Sequence, residues 1–154
     1  MVHSASLQAL EGAHTGPNPT DRGRRGSKHH LLTDARGLPL AVALTAANRY
    51  DVTQWPPLVD QIPPIAGKPG WPRRRPARVQ ADRDYGSQPH RRELRQRGIT
   101  SVLARRGAEH GSGLGTTRWV VERSLSWLHQ LGCLRVRRER RADIHQTVSR
   151  SPAS

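Results

Sequence analysis

Short apolar segments alternate along this chain of 154 residues with stretches rich in glycine, proline and charged side chains. The two most apolar segments, residues 27–34 and 38–46, are separated only by Ala35-Arg36-Gly37. Two apolar runs joined by so short a link predict a β-hairpin. Residues 1–8 contain few apolar side chains but are compatible with one more strand.

The middle of the chain alternates between strand and helix patterns. Residues 78–82 and 100–104 form short apolar runs, and residues 90–98 between them predict a helix that ends at its glycine. Strand, helix and strand in this order favour a parallel βαβ unit. Upstream, residues 51–62 place apolar side chains at helical spacing, but Pro56-Pro57 predict a helix that is broken or starts late.

Residues 117–131 give the clearest helix pattern, between a threonine that can cap the helix and Gly132, which ends it. At about 100° per residue, the apolar face is expected to contain Val120, Val121, Trp127, Leu128 and Leu131. The opposite, polar face is expected to contain Arg118, Glu122, Ser126 and His129. We therefore expect Trp127 to lie in the core.

The charge of the chain is strongly positive, with 26 lysines and arginines against 12 acidic residues and a formal net charge of +14. Such an excess favours a polyanionic partner, of which nucleic acid is the most common. Only Lys28 and Lys68 are lysines, so a GC-rich coding sequence explains part of the arginine excess but not the scarcity of acids. The guanidinium group also suits phosphate better than an ammonium group does.

Two stretches concentrate this charge, Arg73-Arg74-Arg75 and residues 135–141. Each is long enough to follow several phosphates, which would make DNA binding depend steeply on salt. The alternative is a solvated run of charges without a partner. Trp71, in a loop of proline, glycine and arginine, is a candidate for stacking on a base.

Several protein classes do not fit the sequence. Cys133 is the single cysteine, which excludes an internal disulfide framework. No apolar run approaches the length needed to cross a bilayer, and residues 1–4 lack the basic-then-apolar order of a signal peptide. The mean hydropathy of −0.75 and the hydrophobic content of 34% predict a small core. We therefore expect a cytoplasmic protein without a membrane segment.

A few side chains are candidates for metal chemistry. His29 and His30 are adjacent in a predicted strand and point to opposite faces, which favours packing or exposure over a shared metal. Asp82 ends a predicted strand, where α/β active sites gather, and Glu122 lies on the polar helix face. The alternatives are a turn aspartate and a solvated Arg–Glu pair. Two carboxylates at a sheet edge can hold a divalent metal for phosphoryl transfer.

Three long segments carry a specific resemblance to a known family. They are GPNPTDRGRRGSKHHLLTDARGLPLAVALTAANRYDVTQ, RRRPARVQADRDYG and ARRGAEHGSGLGTTRWVVERSLSWLHQLGCLRVRRERRADIH. They resemble the catalytic domain of bacterial insertion-sequence transposases of the DDE type, specifically the insertion-sequence five group. The resemblance covers nearly the whole chain and implies an RNase H-like α/β fold, a mixed sheet with flanking helices. It also implies an enzyme that cuts and joins DNA with Mg²⁺ held by an Asp, Asp, Glu triad.

The resemblance implies roles for individual residues. Asp82 matches the second aspartate and Glu122 the glutamate, so both are expected to be metal ligands. Arg118 matches the arginine that precedes this glutamate, and His129 falls where a basic residue commonly follows it. Gly115 replaces a tyrosine that the wider superfamily often has there.

His3 stands where the family has its first aspartate, on the opening strand. Mg²⁺ takes hard oxygen ligands, so a neutral imidazole there removes both a ligand and a negative charge. We therefore expect Mg²⁺ binding to be weak or absent and DNA cleavage to be impaired.

Two hypotheses about function remain open. The chain starts at the opening strand and ends in a polar run, so we expect a domain truncated at both ends, with residues 1–150 as a partial catalytic domain and 151–154 as an irregular tail. One hypothesis is a transposase that acts on terminal repeats and target DNA, with a possible homodimer. The other, which His3 favours, is a non-catalytic basic DNA-binding remnant. The expected DNA-contacting residues are Arg73, Arg74, Arg75, Arg118, Arg123, His129, Arg135, Arg137 and Arg138.

Overall fold

The computed structural model describes residues 1–66, 70–82, 85–103 and 115–150, and for residues 115–118, 133 and 148–150 it describes the backbone alone. The strands are β1 (Val2–Ala9), β2 (Gly16–Pro17), β3 (Arg25–Thr33), β4 (Pro39–Ala46), β5 (Arg78–Ala81), β6 (Thr100–Leu103) and β7 (Val136–Arg137). The helices are α1 (Trp55–Asp60), α2 (Gln88–Gln96), α3 (Gly115–Gln130), α4 (Gly132–Arg135) and α5 (Ala142–Arg150). The expected tail, 151–154, lies outside the described residues.

The predicted hairpin is confirmed, since β3 and β4 pair antiparallel. Its turn is closed by Asp34, whose Oδ1 accepts hydrogen bonds from the backbone N–H groups of Arg36 at 2.8 Å and Leu38 at 2.9 Å. Gly37 has a φ of +95°, and a Cβ there would lie 2.9 Å from Oγ of Ser124 on α3. The short link thus needs glycine both for its backbone conformation and for the close approach of a helix.

The strand β1 lies in the middle of the sheet. It pairs antiparallel with β3 and parallel with β5 and β7, and the sheet order is β2-β3-β1-β5-β6 with β4 beside β3. The strand that residues 1–8 only weakly suggested is therefore present. The parallel pairing of β5 with β6, with α2 between them in sequence, confirms the predicted βαβ unit.

The alternation of side chains along the strands separates two cores, one on each face of the sheet. The face covered by α1 and α2 buries Val2, Leu32, Ala41, Ala43, Trp55, Leu58, Val59, Ile62, Val79, Ala81, Tyr85, Leu94 and Ile99. The face covered by α3 and α4 buries Leu31, Val42, Val121, Leu125, Leu128 and Leu134. The result is a mixed sheet with flanking helices, as the resemblance implied.

The helices follow the sequence signals closely. A 3₁₀ turn at Asp51–Gln54 precedes α1, which has proline in its first turn and so starts late, as the Pro56-Pro57 pair predicts. The helix α3 has 16 residues. In the part of the chain that the structure describes, no helix is long and apolar enough to cross a membrane.

The prediction that Trp127 lies in the core is wrong. Val121, Leu125 and Leu128 turn the buried face of α3 toward the sheet, whereas Trp127 is 57% exposed and Leu131 is 40% exposed. The buried face of α3 is centred on Val121, Leu125 and Leu128, whereas the predicted apolar face also extended to Trp127 and Leu131. Trp127 instead packs against a cation, because the guanidinium of Arg123 lies 4.8 Å from its ring centroid.

Candidate functional site

His3 and Asp82 lie next to each other where β1 and β5 pair. The parallel register pairs Val2 of β1 with Ala81 of β5, so the residues that follow them, His3 and Asp82, are also neighbours. Val2 and Ala81 both belong to the core under α1 and α2. Because successive side chains alternate between faces along a strand, His3 lies on the opposite face, which α3 covers, and Asp82 directly follows the end of β5.

Glu122 lies on the helix that packs against this same face. Its neighbour Val121 is fully buried against Leu31 of β3, and Glu122 itself is exposed. The three residues that the resemblance singled out are thus carried by β1, by the end of β5 and by α3. The convergence of Asp82 and Glu122 to within about 10 Å, as a shared metal would need, stays a prediction.

The donor set of His3, Asp82 and Glu122 does not fit a Mg²⁺ site. It consists of two carboxylates and one imidazole, whereas Mg²⁺ prefers hard oxygen ligands in octahedral geometry. Among residues 1–66, 70–82, 85–103 and 115–150, no group of three His, Cys, Asp or Glu side chains is placed to hold a metal ion. His3, Asp82 and Glu122 all belong to the part searched.

Arg137 is buried, so its predicted contact with phosphate is wrong. Its guanidinium has no exposed surface and donates to the carbonyl oxygens of Ala13 at 2.5 Å, Glu139 at 2.9 Å and Arg140 at 2.9 Å. It also donates to Oγ of Ser27 at 3.1 Å. This arginine fastens the loop after β1 to the segment after β7.

Other arginines of the two basic stretches do face solvent. Arg73, Arg74 and Arg75 are exposed, as are Arg135 and Arg138. They form two separate cationic surfaces, one made of residues 73–75 and the other of Arg135 and Arg138. Arg74 and Arg75 line a cavity of about 220 Å³ beside α1, whereas Arg135 is the last residue of α4. Trp71, next to the first stretch, is 96% exposed.

Arg123 lies between two indole rings on the outer side of α3. Its guanidinium carbon is 4.6 Å from the ring centroid of Trp119 and 4.8 Å from that of Trp127. It also donates to the carbonyl oxygen of Arg36 at 3.1 Å. These contacts hold a cation and two half-exposed aromatic rings in a fixed arrangement. The side chain of Arg118 lies outside the description.

His129 faces a groove of about 890 Å³ between the end of α3 and β1, which Arg135 also lines. The ring is half-buried, and Nε2 lies 3.4 Å from Nδ1 of His29. Burial lowers the pKa of His129, and the nearby charge of Arg135 lowers it further. Both effects favour the neutral ring, and the contact of His129 with DNA stays a prediction.

Residues 3–150 match the protein family described as "Transposase DDE domain". The chain belongs to this family. Its mixed sheet with flanking helices is the RNase H-like α/β fold of DDE domains. The resemblance to insertion-sequence transposases is thereby confirmed, and the assignment to the insertion-sequence five group stays a prediction.

Two bacterial relatives are similar to this transposase domain. A Burkholderia cepacia protein, named as a transposase for insertion sequence element IS402, is 64% identical over 131 residues, or 85% of this chain and 62% of the relative. The transposase for insertion sequence element IS1106 of Neisseria meningitidis serogroup B is 27% identical over 115 residues, or 68% of this chain and 36% of the relative. The chain thus spans less than two thirds of either relative. No solved structure matches it.

Family membership gives the site its chemical context. DDE transposase domains act on DNA and depend on divalent metal ions. That His3 takes the position of the first acidic ligand, with Asp82 and Glu122 as the matching carboxylates, stays a prediction from the resemblance.

Sequence reasoning missed two features of the site. One is the stack of Trp119, Arg123 and Trp127, although their spacing of four residues places them on one line along a helix. The other is the contact between His29 and His145, 116 residues apart, with Nε2 atoms 2.9 Å from each other. No local pattern signals that second contact.

Proposed function

We propose that this chain is a partial catalytic domain of an insertion-sequence transposase that binds DNA and has lost metal-dependent cleavage. The observation that carries the proposal is His3, which lies next to Asp82 and on the sheet face that α3 covers. An imidazole there supplies no hard, negatively charged oxygen to Mg²⁺. With two carboxylates and an imidazole, the proposed site lacks one of the three negatively charged oxygen ligands that the resemblance implies for the metal.

The charge distribution supports the DNA-binding part of the proposal. The formal net charge is +14, and the exposed arginines at 73–75, 135 and 138 are free to meet a phosphate backbone. Arg123 adds a cation that its two indole neighbours keep in place. These contacts position a duplex without reading its sequence. The proposed partners are the terminal repeats of an insertion sequence and its target DNA.

The competing function is an active transposase, which the retention of Asp82 and Glu122 favours. Under that function His3 would be tolerated as a ligand. The two functions differ in what a carboxylate at position 3 would change, which makes that position the place to test.

The deciding experiment uses a chimera in which this chain replaces the matching residues of the Burkholderia relative. The chimera is made in two versions, one with His3 and one with the substitution His3→Asp. Cleavage of a terminal-repeat substrate is then measured with Mg²⁺. We expect the His3→Asp version to cleave at least about 100-fold faster, since a lost metal ligand removes charge stabilisation from the transition state.

Two controls accompany the exchange. Glu122→Gln in the His3→Asp version should abolish cleavage, and all versions should bind the substrate equally well, which shows that they fold. Equal cleavage by the His3 and His3→Asp versions would contradict the claim that position 3 is the missing ligand.

The proposal also covers assembly and location. It places the chain in the cytoplasm, with a homodimer as the DNA-bound form. Sedimentation of the chain with and without a duplex tests the assembly. A monomer under both conditions would remove the homodimer from the proposal without affecting DNA binding.

A further inference from the structure

Four side chains form a continuous line of hydrogen bonds between the sheet and two helices. Nδ1 of His29 on β3 lies 3.4 Å from Nε2 of His129 on α3. Nε2 of His29 lies 2.9 Å from Nε2 of His145 on α5, and Nδ1 of His145 lies 3.1 Å from Oε2 of Glu139. The rings of His29 and His145 also stack, with centroids 5.0 Å apart. We call these four residues the histidine chain.

The histidine chain is satisfied when all three rings are neutral. His145 then donates from Nδ1 to the carboxylate of Glu139, and its Nε2 accepts from His29. His29 in turn accepts at Nδ1 from His129. His29 and His145 each donate at one nitrogen and accept at the other, and His129 donates from Nε2, so every bond of the line is made without a buried positive charge on a ring.

The groups around the histidine chain do little to stabilise a positive charge on its rings. In the described part of the chain, the charged and titratable groups that face it are Arg137 from β7, Arg135 from α4, His30 from β3 and the chain's own Glu139. The carboxylate of Glu139 already interacts with the cation of Arg137. On β1 and β4, the residues paired with His29 are the uncharged Ala5 and Leu44.

We propose that the histidine chain is an acid-sensitive latch, which holds α3 and α5 against the sheet when its rings are neutral and releases them when the rings are protonated. His29 and His145 are each 1% exposed, so a proton taken up there brings a buried positive charge close to Arg137. Glu139 offsets part of that charge at His145, and movement of the rings into water relieves the rest. The latch is a property of the fold and holds whether or not the chain cuts DNA.

The ionisation of the central ring agrees with this geometry. Burial lowers the pKa of His29 to about 3, and the neighbouring histidines and Arg137 lower it in the same direction. Burial also lowers the pKa of His145, against the opposing effect of Glu139. Because α3 carries Glu122 and Arg123, its release would disturb both the carboxylate and the cation on that helix.

Hydrogen–deuterium exchange of the full chain at pH 7.5 and pH 5.0 tests the latch, with each rate corrected for the intrinsic effect of pH. We expect backbone protection of α3 and α5 to fall at least tenfold at pH 5.0, and that of α2 to change less than threefold. In His29→Gln, which cannot become a cation at this position, the pH effect on α3 and α5 should be at least threefold smaller, and the remainder should come from His129 and His145.

The matched control is His30→Gln, a change at the neighbouring residue on the opposite face of β3. It should leave the pH effect on α3 and α5 in place. If His29→Gln does not fold, His129→Gln at the half-buried end should fold and reduce the pH effect. Equal protection of α3 at both pH values in the unmodified chain, equal loss in α2 and α3, or loss of the effect in His30→Gln would each overturn the proposal.

Discussion

On the sheet face covered by α1 and α2, Trp55, Tyr85 and Leu94 fill the interior, and the rings of Trp55 and Tyr85 meet edge to face with centroids 6.0 Å apart. On the face covered by α3 and α5, leucines share the buried space with polar groups, above all His29 and Arg137. Both faces belong to one sheet and alternate along the same strands. Their stabilities therefore rest on different interactions.

The two faces of this small domain are stabilised by different kinds of interaction. The face under α1 and α2 depends mainly on apolar area, which responds little to salt, and His30 is a titratable group buried on it. The face under α3 and α5 depends on hydrogen bonds and charge, which respond to both pH and salt. The second face also carries the helix α3, on which the resemblance places Glu122.

The largest effect is expected on the apolar face. Trp55 is fully buried, and Trp55→Ala should lower the free energy of unfolding by about 3–5 kcal/mol because it opens a large cavity. Urea unfolding measures the change. Trp71→Ala is the control, since Trp71 is exposed and its loss should cost less than about 0.5 kcal/mol. Similar losses for the two variants would contradict the assignment of Trp55 to the core.

The next effect is expected on the polar face. Arg137→Met keeps the volume but removes every donor to Ala13, Glu139 and Arg140, which leaves buried carbonyl oxygens without partners. We expect a loss of about 3 kcal/mol. Arg138→Met, one residue along and exposed, should leave stability unchanged in the same urea experiment. A neutral Arg137→Met would mean that the face does not depend on this arginine.

Acid should weaken the two faces separately. Burial lowers the pKa of His29 to about 3 and that of His30 to about 4, from an ordinary value of 6.5. The unfolded chain therefore takes up protons first as the pH falls, and stability is lost from about pH 6.5 downward. At pH 5.5 each histidine should cost on the order of 1 kcal/mol.

Urea unfolding at pH 7.5 and pH 5.5 compares the two histidines. His29→Gln and His30→Gln should each remove a part of the pH dependence, and His129 and His145 should account for what remains in the double variant. The two parts should add, because the residues face opposite sides of the strand. A double variant with the same pH dependence as the unmodified chain would place the acid-labile groups elsewhere.

The smallest effect is expected on the salt dependence of DNA binding, which tests which of the two cationic surfaces contacts DNA. Replacing Arg73, Arg74 and Arg75 with glutamine should reduce the slope of log affinity against log salt by up to about 3, and replacing Arg135 and Arg138 by up to about 2. Electrophoretic shifts across a salt series measure the slopes. Arg92→Gln with Arg95→Gln, on exposed positions of α2, is the matched control. A slope unchanged by both sets would exclude these arginines from the DNA contact.

Local signals predicted much of the fold. Asp34 and Gly37 mark the hairpin turn, and the glycine after α2 marks the end of a helix, because turns and caps depend on a few neighbouring residues. The sequence of β1 gave a weaker signal, since its polar residues follow strand periodicity only in part. Its central position depends on partners far along the chain.

The candidate site needed more than local pattern. Nothing near His3 signals that it lies beside Asp82, because that contact comes from the register of β1 with β5, and only the resemblance suggested it. Arg137 stands in a run of arginines that favours solvent, yet the carbonyl oxygen of Ala13 reaches it across 124 residues of sequence. Long-range contacts of this kind decide which charges of a basic run are buried.

The position of β1 also sets an order for the growth of the sheet during synthesis. The hairpin of β3 and β4 follows β1 closely, so the ribosome releases these three strands together. The other edge of β1 stays unpaired until residues 78–81 and then residues 136–137 have been synthesised. An open strand edge is a template for pairing with other chains. A nascent chain halted before β7 therefore exposes part of this edge of β1, and we expect ribosome stalling in this interval to promote aggregation.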